Sequence, residues 1–312
     1  MINLKALLPH HLIDASDEEL SAVCVRTSEI KYLIFGEKFD APLYVVQFGS
    51  IKNLSVIFEF TSHLYASLPD RIPEPLELST ISEDRAVLVQ RGLAGRPWFT
   101  LRDEIRTLKD WLRIKNLSLN ALHDLHKTSA SQRDWTHTID LVNMFDDLHA
   151  ECRQNISKPI VLRQDAVARQ RGMIEALGQL NCFYQHGDFG INNLLFDQYS
   201  AGIVDFEQFG RVLLPLHDEF LLTGSLLSLH PERDVNTDRN LWQEIFEHSR
   251  YHDVLGPDTI GPLFLMSIMW WILETDEKTH RTPRCERYHL SLDRILNSRD
   301  DGVGWIPGDT VI

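Results

Sequence analysis

The stretch Gln185–Glu207, QHGDFGINNLLFDQYSAGIVDFE, decides how the rest of the chain is read. Cys182 to Gln185 reads as a short strand leading into the loop HGDFGINN. Leu194 to Phe196 reads as a second strand, turning through DQYSAG into a third, Gly202 to Asp205. A loop therefore carries Asp188, Asn193 follows five residues later, and a tight hairpin delivers Asp205 at a strand end. Moving a phosphoryl group from a nucleotide to a hydroxyl requires these parts. A carboxylate must accept the hydroxyl proton, and hard oxygen ligands must hold magnesium across the phosphates. Asp188 suits the first role; Asn193 and Asp205 suit the second. Singly, each has an ordinary alternative, because loop aspartates commonly cap turns. The spacing, the hairpin and what precedes them give the set its meaning.

Outward toward the N-terminus, Tyr32 to Phe35 and Leu43 to Phe48 are branched and aromatic runs flanking the turn segment GEKFDAP, which reads as a β-hairpin. From Lys52 to Leu68 the apolar residues Leu54, Ile57, Phe58, Leu64, Tyr65 and Leu68 recur at helical spacing, and the run RIPEPLEL ends that helix. Leu76 to Leu78 and Ala86 to Gln90 read as two strands around SEDR. Residues 1–90 are thus expected to form a small α+β lobe, with GLAGRP in a hinge at residues 91–97 and a larger, mainly helical lobe over 98–312. In that second part, Leu101, Ile105, Leu108 and Leu112 mark one amphipathic face, and Leu119, Leu122 and Leu125 begin another. Val167, Ile174, Leu177 and Leu180 suggest a helix ending near Asn181. The apolar stretch Ile260 to Leu273 is shorter than the roughly 20 residues that span a bilayer and reads as a buried helix.

HGDFGINN followed by IVDFE resembles the HGDxxxxN and [IV]DF[EG] motifs of the aminoglycoside phosphotransferase and choline kinase family. LVQRGLAGRP resembles that family's hinge strand and following loop. FGRVLLPLHDEF resembles its segment ending in a Pro-x-x-Asp turn, with Asp218 as the aspartate, so the likeness runs from about residue 30 to residue 280. The resemblance implies a two-lobed, protein-kinase-like α+β fold and a small-molecule kinase. By position Asp188 resembles the family's catalytic base, and Asn193 and Asp205 resemble its Mg2+ ligands. Arg91 and Leu93 resemble the hinge residues whose backbone groups would meet adenine. The implied donor is ATP or GTP, and the acceptor is a small hydroxylated molecule, aminoglycoside-, choline- or sugar-like. His186 is expected to brace the loop. One feature departs from the family. Its phosphate-holding lysine, in a strand of the form YVVKF, is replaced here in Tyr44-Val-Val-Gln47-Phe48, while Glu59 stands at the place of the lysine's carboxylate partner. Gln47 cannot form that ion pair, although its amide can donate a hydrogen bond to a phosphate. A glycine-rich loop is also missing, with only Gly36 near the first turn. Two readings remain: a working kinase in which Lys38 or Lys52 supplies the charge, or a pseudokinase that binds nucleotide or metabolite without turnover. A protein kinase fits less well, because no activation segment separates Asp205 from the Pro-x-x-Asp turn.

Composition sets the outer limits. Of 312 residues, 31 are Lys or Arg and 45 are Asp or Glu, for a formal charge of −14. Such a balance disfavours nucleic acid and anionic membrane as partners; it suits a cationic acceptor, although acidity for solubility alone is equally ordinary. At 43 % hydrophobic and 24 % charged the chain is an ordinary globular one. Cys24, Cys152, Cys182 and Cys285 are scattered, with no CxxC pair, and MINLKALLPHHLIDAS lacks the apolar core of a secretory signal, so a cytoplasmic location is expected. Trp270 and Trp271 offer either an aromatic wall for a cation or core packing of a helix. Glu274, Asp276 and Glu277 offer either a polyamine contact or a solvated face.

Overall fold

A computed structural model describes residues 20–26, 30–36, 41–155, 164–232 and 235–278; Lys38, Cys285 and the side chains of Asp276 and Glu277 lie outside that description. The first strands are β1 (Ser21–Arg26), β2 (Ile30–Phe35) and β3 (Tyr44–Ser50), followed by helix α1 (Ile51–Ser67), β4 (Pro75–Thr80) and β5 (Arg85–Arg91). Next come β6 (Arg96–Pro97), α2 (Trp98–Leu101), α3 (Leu108–Ser131), β7 (Thr136–Asp140), α4 (Leu141–Asn155) and α5 (Gln164–Glu175). The chain then runs through β8 (Gln179–Phe183), β9 (Leu194–Phe196), β10 (Ala201–Ile203), α6 (His217–Ser228), α7 (Val235–Glu247) and α8 (Pro257–Lys278). Two units emerge. Unit 1 comprises Met1–Glu104, Asn116–Thr128 and Asn192–Phe209; unit 2 comprises Ile105–Lys115, Ser129–Ile191 and Gly210–Ile312. The expected hinge at residues 91–97 falls within unit 1.

Unit 1 is built on an antiparallel sheet of order β1-β2-β3-β5-β4. The β2–β3 hairpin expected from sequence forms, with Lys31 directly opposite Gln47 and Tyr32 opposite Val46. Alternation along the strands buries Ile34, Val46 and Val89 together. α1 begins where the Ser50 side chain accepts the Asn53 N–H, 3.2 Å away. Its Leu54, Ile57, Thr61 and Leu64 are buried at the spacing of one helical face. After β5 the backbone of Gly92 passes so close to Pro42 that a Cβ would lie 1.7 Å from the Pro42 carbonyl oxygen, which only glycine tolerates. β1 was not anticipated: its Val23 and Cys24 are exposed, so SAVCVR carries little apolar signal. A second, smaller sheet of order β10-β9-β6 belongs to the same unit.

Unit 2 surrounds a large apolar cluster that includes Phe145, Phe183, Phe220, Phe264 and Met269, with β7 and β8 paired as a two-stranded sheet. α8 is the expected buried helix, and no helix among the described residues is long and apolar enough to cross a membrane. Three expectations need correction. The face from Leu101 to Leu112 is not one helix. α2 ends at Leu101, and α3 starts afresh at Leu108, because Thr107 and Asp110 close a reciprocal capping box. Leu108 and Leu112 are exposed. The helix expected to reach Asn181 stops at Glu175, and Gly178, at φ 62°, turns the chain into β8. β8 therefore lies earlier than the expected Cys182–Gln185 strand and pairs with β7, which had gone unread.

Candidate active site

The β9–β10 hairpin of unit 1 pairs Leu194 with Ile203, and the ladder continues as the Val204 N–H donates to the Asn193 carbonyl at 3.0 Å. Asp205 lies beyond the strand rather than at its end. Its backbone adopts φ 69°, ψ 61°, left-handed geometry that aspartate tolerates better than most residues but that costs local strain. Phe206, Glu207 and Gln208 form a single 3-10 turn after it. That turn is pinned to α1 by Phe209, whose ring meets Phe60 edge-on at 5.2 Å. Asp205 and Glu207 are thus presented by a short, anchored segment.

Both carboxylates meet the sheet. The Lys31 ammonium on β2 lies 2.9 Å from Asp205 Oδ1 and 2.8 Å from Glu207 Oε1, with the lysine side chain only 16 % exposed. Gln47 Nε2 donates to the same Glu207 oxygen at 3.1 Å. Burial by itself would lower the Lys31 pKa, but the charges of Asp205 and Glu207 outweigh it and hold the ammonium above its ordinary value. One cation facing two carboxylates leaves the cluster net negative. Glu59, expected beside Gln47, is exposed on α1, and Lys52 is exposed at the helix start.

Lys31 and Glu207 are the site residues that sequence reasoning passed over. A signal existed for Lys31: it and Gln47 stand equally far from the middle of GEKFDAP, so a symmetric hairpin places them on the same face of paired strands. For Glu207, only the turn geometry after Asp205 reveals its direction.

Magnesium fits the donors present. Asn193 and Asp205 offer hard oxygens on neighbouring positions of one hairpin, and the Asp205 carboxylate already attracts a cation, the Lys31 ammonium. Among the described residues no group of three or more His, Cys, Asp or Glu could hold a metal by itself. Two protein ligands completed by phosphate oxygens and water are the usual magnesium arrangement.

Asp188 belongs to unit 2, on a loop held by buried polar groups. The Asp218 carboxylate, fully buried at the start of α6, accepts the His186 N–H at 2.7 Å and the Gly187 N–H at 2.9 Å. Gln185 reciprocates by accepting the Asp218 N–H at 3.0 Å and donating to the Leu214 carbonyl. His186 is itself buried, and its Nδ1 accepts the Asp188 N–H at 3.3 Å, so it braces the loop from within. His217 completes the support: Nε2 lies 3.3 Å from the Gly187 carbonyl and Nδ1 2.8 Å from the Ser267 hydroxyl. Donating from Nε2 and accepting at Nδ1 requires the neutral ring, and burial pushes its pKa down to about 4. Trp271 stacks on His217 and Trp270 meets it edge-on at 5.1 Å, which is the core-packing alternative for that pair. Asp188 is half-buried, so its carboxylate is neither sealed away nor fully solvated.

Arg91 is the last residue of β5 in unit 1, and Leu93 follows it. The Arg91 guanidinium pairs with Glu74 at 2.7 Å, and its backbone N–H is taken by the Glu74 carbonyl. Leu93 packs against β10, where a Cβ on Gly202 would meet the leucine Cδ2 at 2.1 Å.

A family model described as "Phosphotransferase enzyme family" matches residues 44–218. Among solved structures, the chain is similar to a choline/ethanolamine kinase family protein from Mesorhizobium loti, at 16% identity and TM-score 0.60, over 98% of this chain and 97% of that one. The GDP and kanamycin complex of APH(2")-IIia matches at 14% identity and TM-score 0.57, over 95% and 97% of the two chains. A glucosamine kinase in complex with glucosamine, ADP and inorganic phosphate matches at 15% identity and TM-score 0.53, over 94% and 81%. No curated protein sequence matches. These likenesses establish the kinase-like α+β fold, and the family match spans the sheet from β3, the Asp188 loop, the Asp205 turn and Asp218; the chain belongs to the phosphotransferase enzyme family.

Proposed function

We propose that this protein is a magnesium-dependent kinase that moves the γ-phosphate of ATP or GTP to a hydroxyl of a small, cationic, aminoglycoside-, choline- or sugar-like acceptor. One observation carries the reading. The Lys31 ammonium facing Asp205 and Glu207, with the hairpin-tied Asn193 beside Asp205, makes a net-negative cluster that offers a phosphate one positive charge and a divalent cation the Asn193 and Asp205 oxygens. Asn193 and Asp205 would hold Mg2+, which neutralises phosphate charge as the leaving group departs. Asp188 orients the acceptor hydroxyl and takes its proton. The Asp218 cradle supports this role by fixing the loop backbone, so the carboxylate waits in place instead of being ordered at each turnover. Arg91 and Leu93 lie at the adenine-facing hinge.

The acceptor class follows from chemistry that agrees from two sides. A chain of net charge −14 favours cations, and the structurally similar proteins include those solved with kanamycin and with glucosamine. The pseudokinase alternative rests on Gln47 alone, and Lys31 on the same face supports the working enzyme instead. A cytoplasmic site of action accords with a nucleotide donor.

The test is transfer of labelled phosphate from ATP and from GTP to a panel of choline, ethanolamine, glucosamine and kanamycin, with MgCl2 and with EDTA. Magnesium-dependent labelling of at least one acceptor is expected. Nucleotide binding without transfer to any hydroxylated amine would favour the pseudokinase.

A further inference from the structure

Gln47 takes from β3 the ammonium that the family pattern places there, and the structure puts an ammonium one strand away. Lys31 and Gln47 are direct cross-strand partners, so their side chains leave the sheet on the same face with Cβ atoms about 5 Å apart. A lysine stem is long and flexible enough to span that offset. We propose that Lys31 is the phosphate-holding cation of this protein, moved from β3 to β2, and that Glu207 is the carboxylate that positions it; the proposal rests on the nucleotide reading above.

Three features carry it. Lys31 meets Asp205, the expected magnesium ligand, at 2.9 Å, so its ammonium lies where charge on the phosphates and their cation must be balanced. Glu207 takes the part assigned in sequence to Glu59, and it does so from the Asp205 turn instead of from α1. Gln47 then has a reason to be neutral: it donates to the same Glu207 oxygen at 3.1 Å, fixing the carboxylate without adding a second positive charge beside Lys31. An ammonium has three donors, and among the described residues two of them serve Asp205 and Glu207, leaving one direction for a phosphate oxygen. Lys52 is exposed at the start of α1 and shows no such arrangement.

The competing role is a structural strap that only fastens the turn after Asp205. Calorimetric titration of the full chain with ATP, ADP and adenosine, with MgCl2 and with EDTA, separates the two. Lys31→Gln should weaken ATP by about tenfold to a hundredfold, the worth of one charge-assisted hydrogen bond, and leave adenosine within about twofold. Gln47→Lys alone should give no gain, since it sets two ammonium groups side by side. The double variant Lys31→Gln/Gln47→Lys should recover most of the lost ATP affinity, because the charge returns to the same face beside Glu207. Equal weakening of ATP and adenosine by Lys31→Gln would leave only the strap. Unchanged ATP affinity in that variant, or a double variant that binds adenosine normally and ATP no better than Lys31→Gln, overturns the relocation and leaves the kinase reading standing. Should Lys31→Gln not fold, the double variant decides alone by its ATP-to-adenosine ratio. A wild-type chain that binds neither ATP nor GTP removes the nucleotide reading and the proposal with it.

Discussion

The cluster at Lys31 and the cradle around Asp188 both fix carboxylates in place, by opposite means. In the first, Asp205 and Glu207 face a single lysine near the surface of unit 1, and Asp205 adopts a strained backbone to do so. In the second, Asp218 is sealed in unit 2 and satisfied by two backbone N–H groups, with a neutral histidine at its side. Charged pairs that are partly wetted exchange partners at little cost, whereas a buried carboxylate bound to backbone amides cannot let go without leaving polar groups orphaned. The first region is suited to meeting a ligand's phosphates and cation; the second is suited to never moving.

The comparison can be broken most directly at Asp188, which the rigid cradle serves. Asp188→Asn should lower turnover on the true acceptor by roughly 10²–10⁴ and leave ATP affinity within about twofold, the signature of a lost general base. Steady-state kinetics beside calorimetry reads both, and near-normal turnover would remove Asp188 from the chemistry. Next in size, Asp205→Ala should erase the difference between ATP affinities measured with MgCl2 and with EDTA, because Asn193 alone is a neutral and weaker ligand. A magnesium effect equal to wild type would take Asp205 out of the metal site.

Two stability measurements sharpen the contrast. Asp218→Ala orphans the His186 and Gly187 amides and should cost about 2–4 kcal/mol in denaturant unfolding. Glu207→Gln, at the partly wetted cluster, should cost less than about 1 kcal/mol while changing ATP affinity. Equal losses in the two variants would erase the distinction drawn between the regions. The cradle also predicts a pH dependence. The folded His217 pKa, about 4, lies below the ordinary 6.5, so the unfolded chain takes up the proton first as pH falls. Stability from the neutral ring is complete above about pH 6.5 and declines toward pH 4, by up to about 3 kcal/mol, with no further loss below. The raised Lys31 pKa acts at the other end, its contribution being lost only as pH rises past the ordinary 10.5. Unfolding between pH 7.5 and 4.5 for wild type and His217→Gln isolates the histidine, and identical slopes would contradict a buried neutral ring.

Much of this was legible in the chain. Strong apolar runs and helical spacing located β2, β3, α1, β4, β5 and α8 within a few residues, because their branched, aromatic and leucine-rich stretches stand out from the polar turns between them. Elements with weak faces escaped: β1 exposes Val23 and Cys24, and β7 has polar residues on both sides, so neither carries a period to read. The break between α2 and α3 was written in Thr107 and Asp110 but was masked by leucines that fell at helical spacing and proved exposed.

The motif around Asp188, Asn193 and Asp205 determined by itself which chemistry to look for, since those residue types at that spacing are set by local chain geometry. Where the positive charge stands was decided by the tertiary structure. The family resemblance pointed to the missing lysine at Gln47, and Lys38 and Lys52 stood as substitutes by nearness along the chain. Sheet register and the turn after Asp205 instead bring Lys31 to Asp205 and Glu207 across more than 170 residues. A cross-strand pair and a left-handed turn are properties of how segments pair, and no single segment carries them.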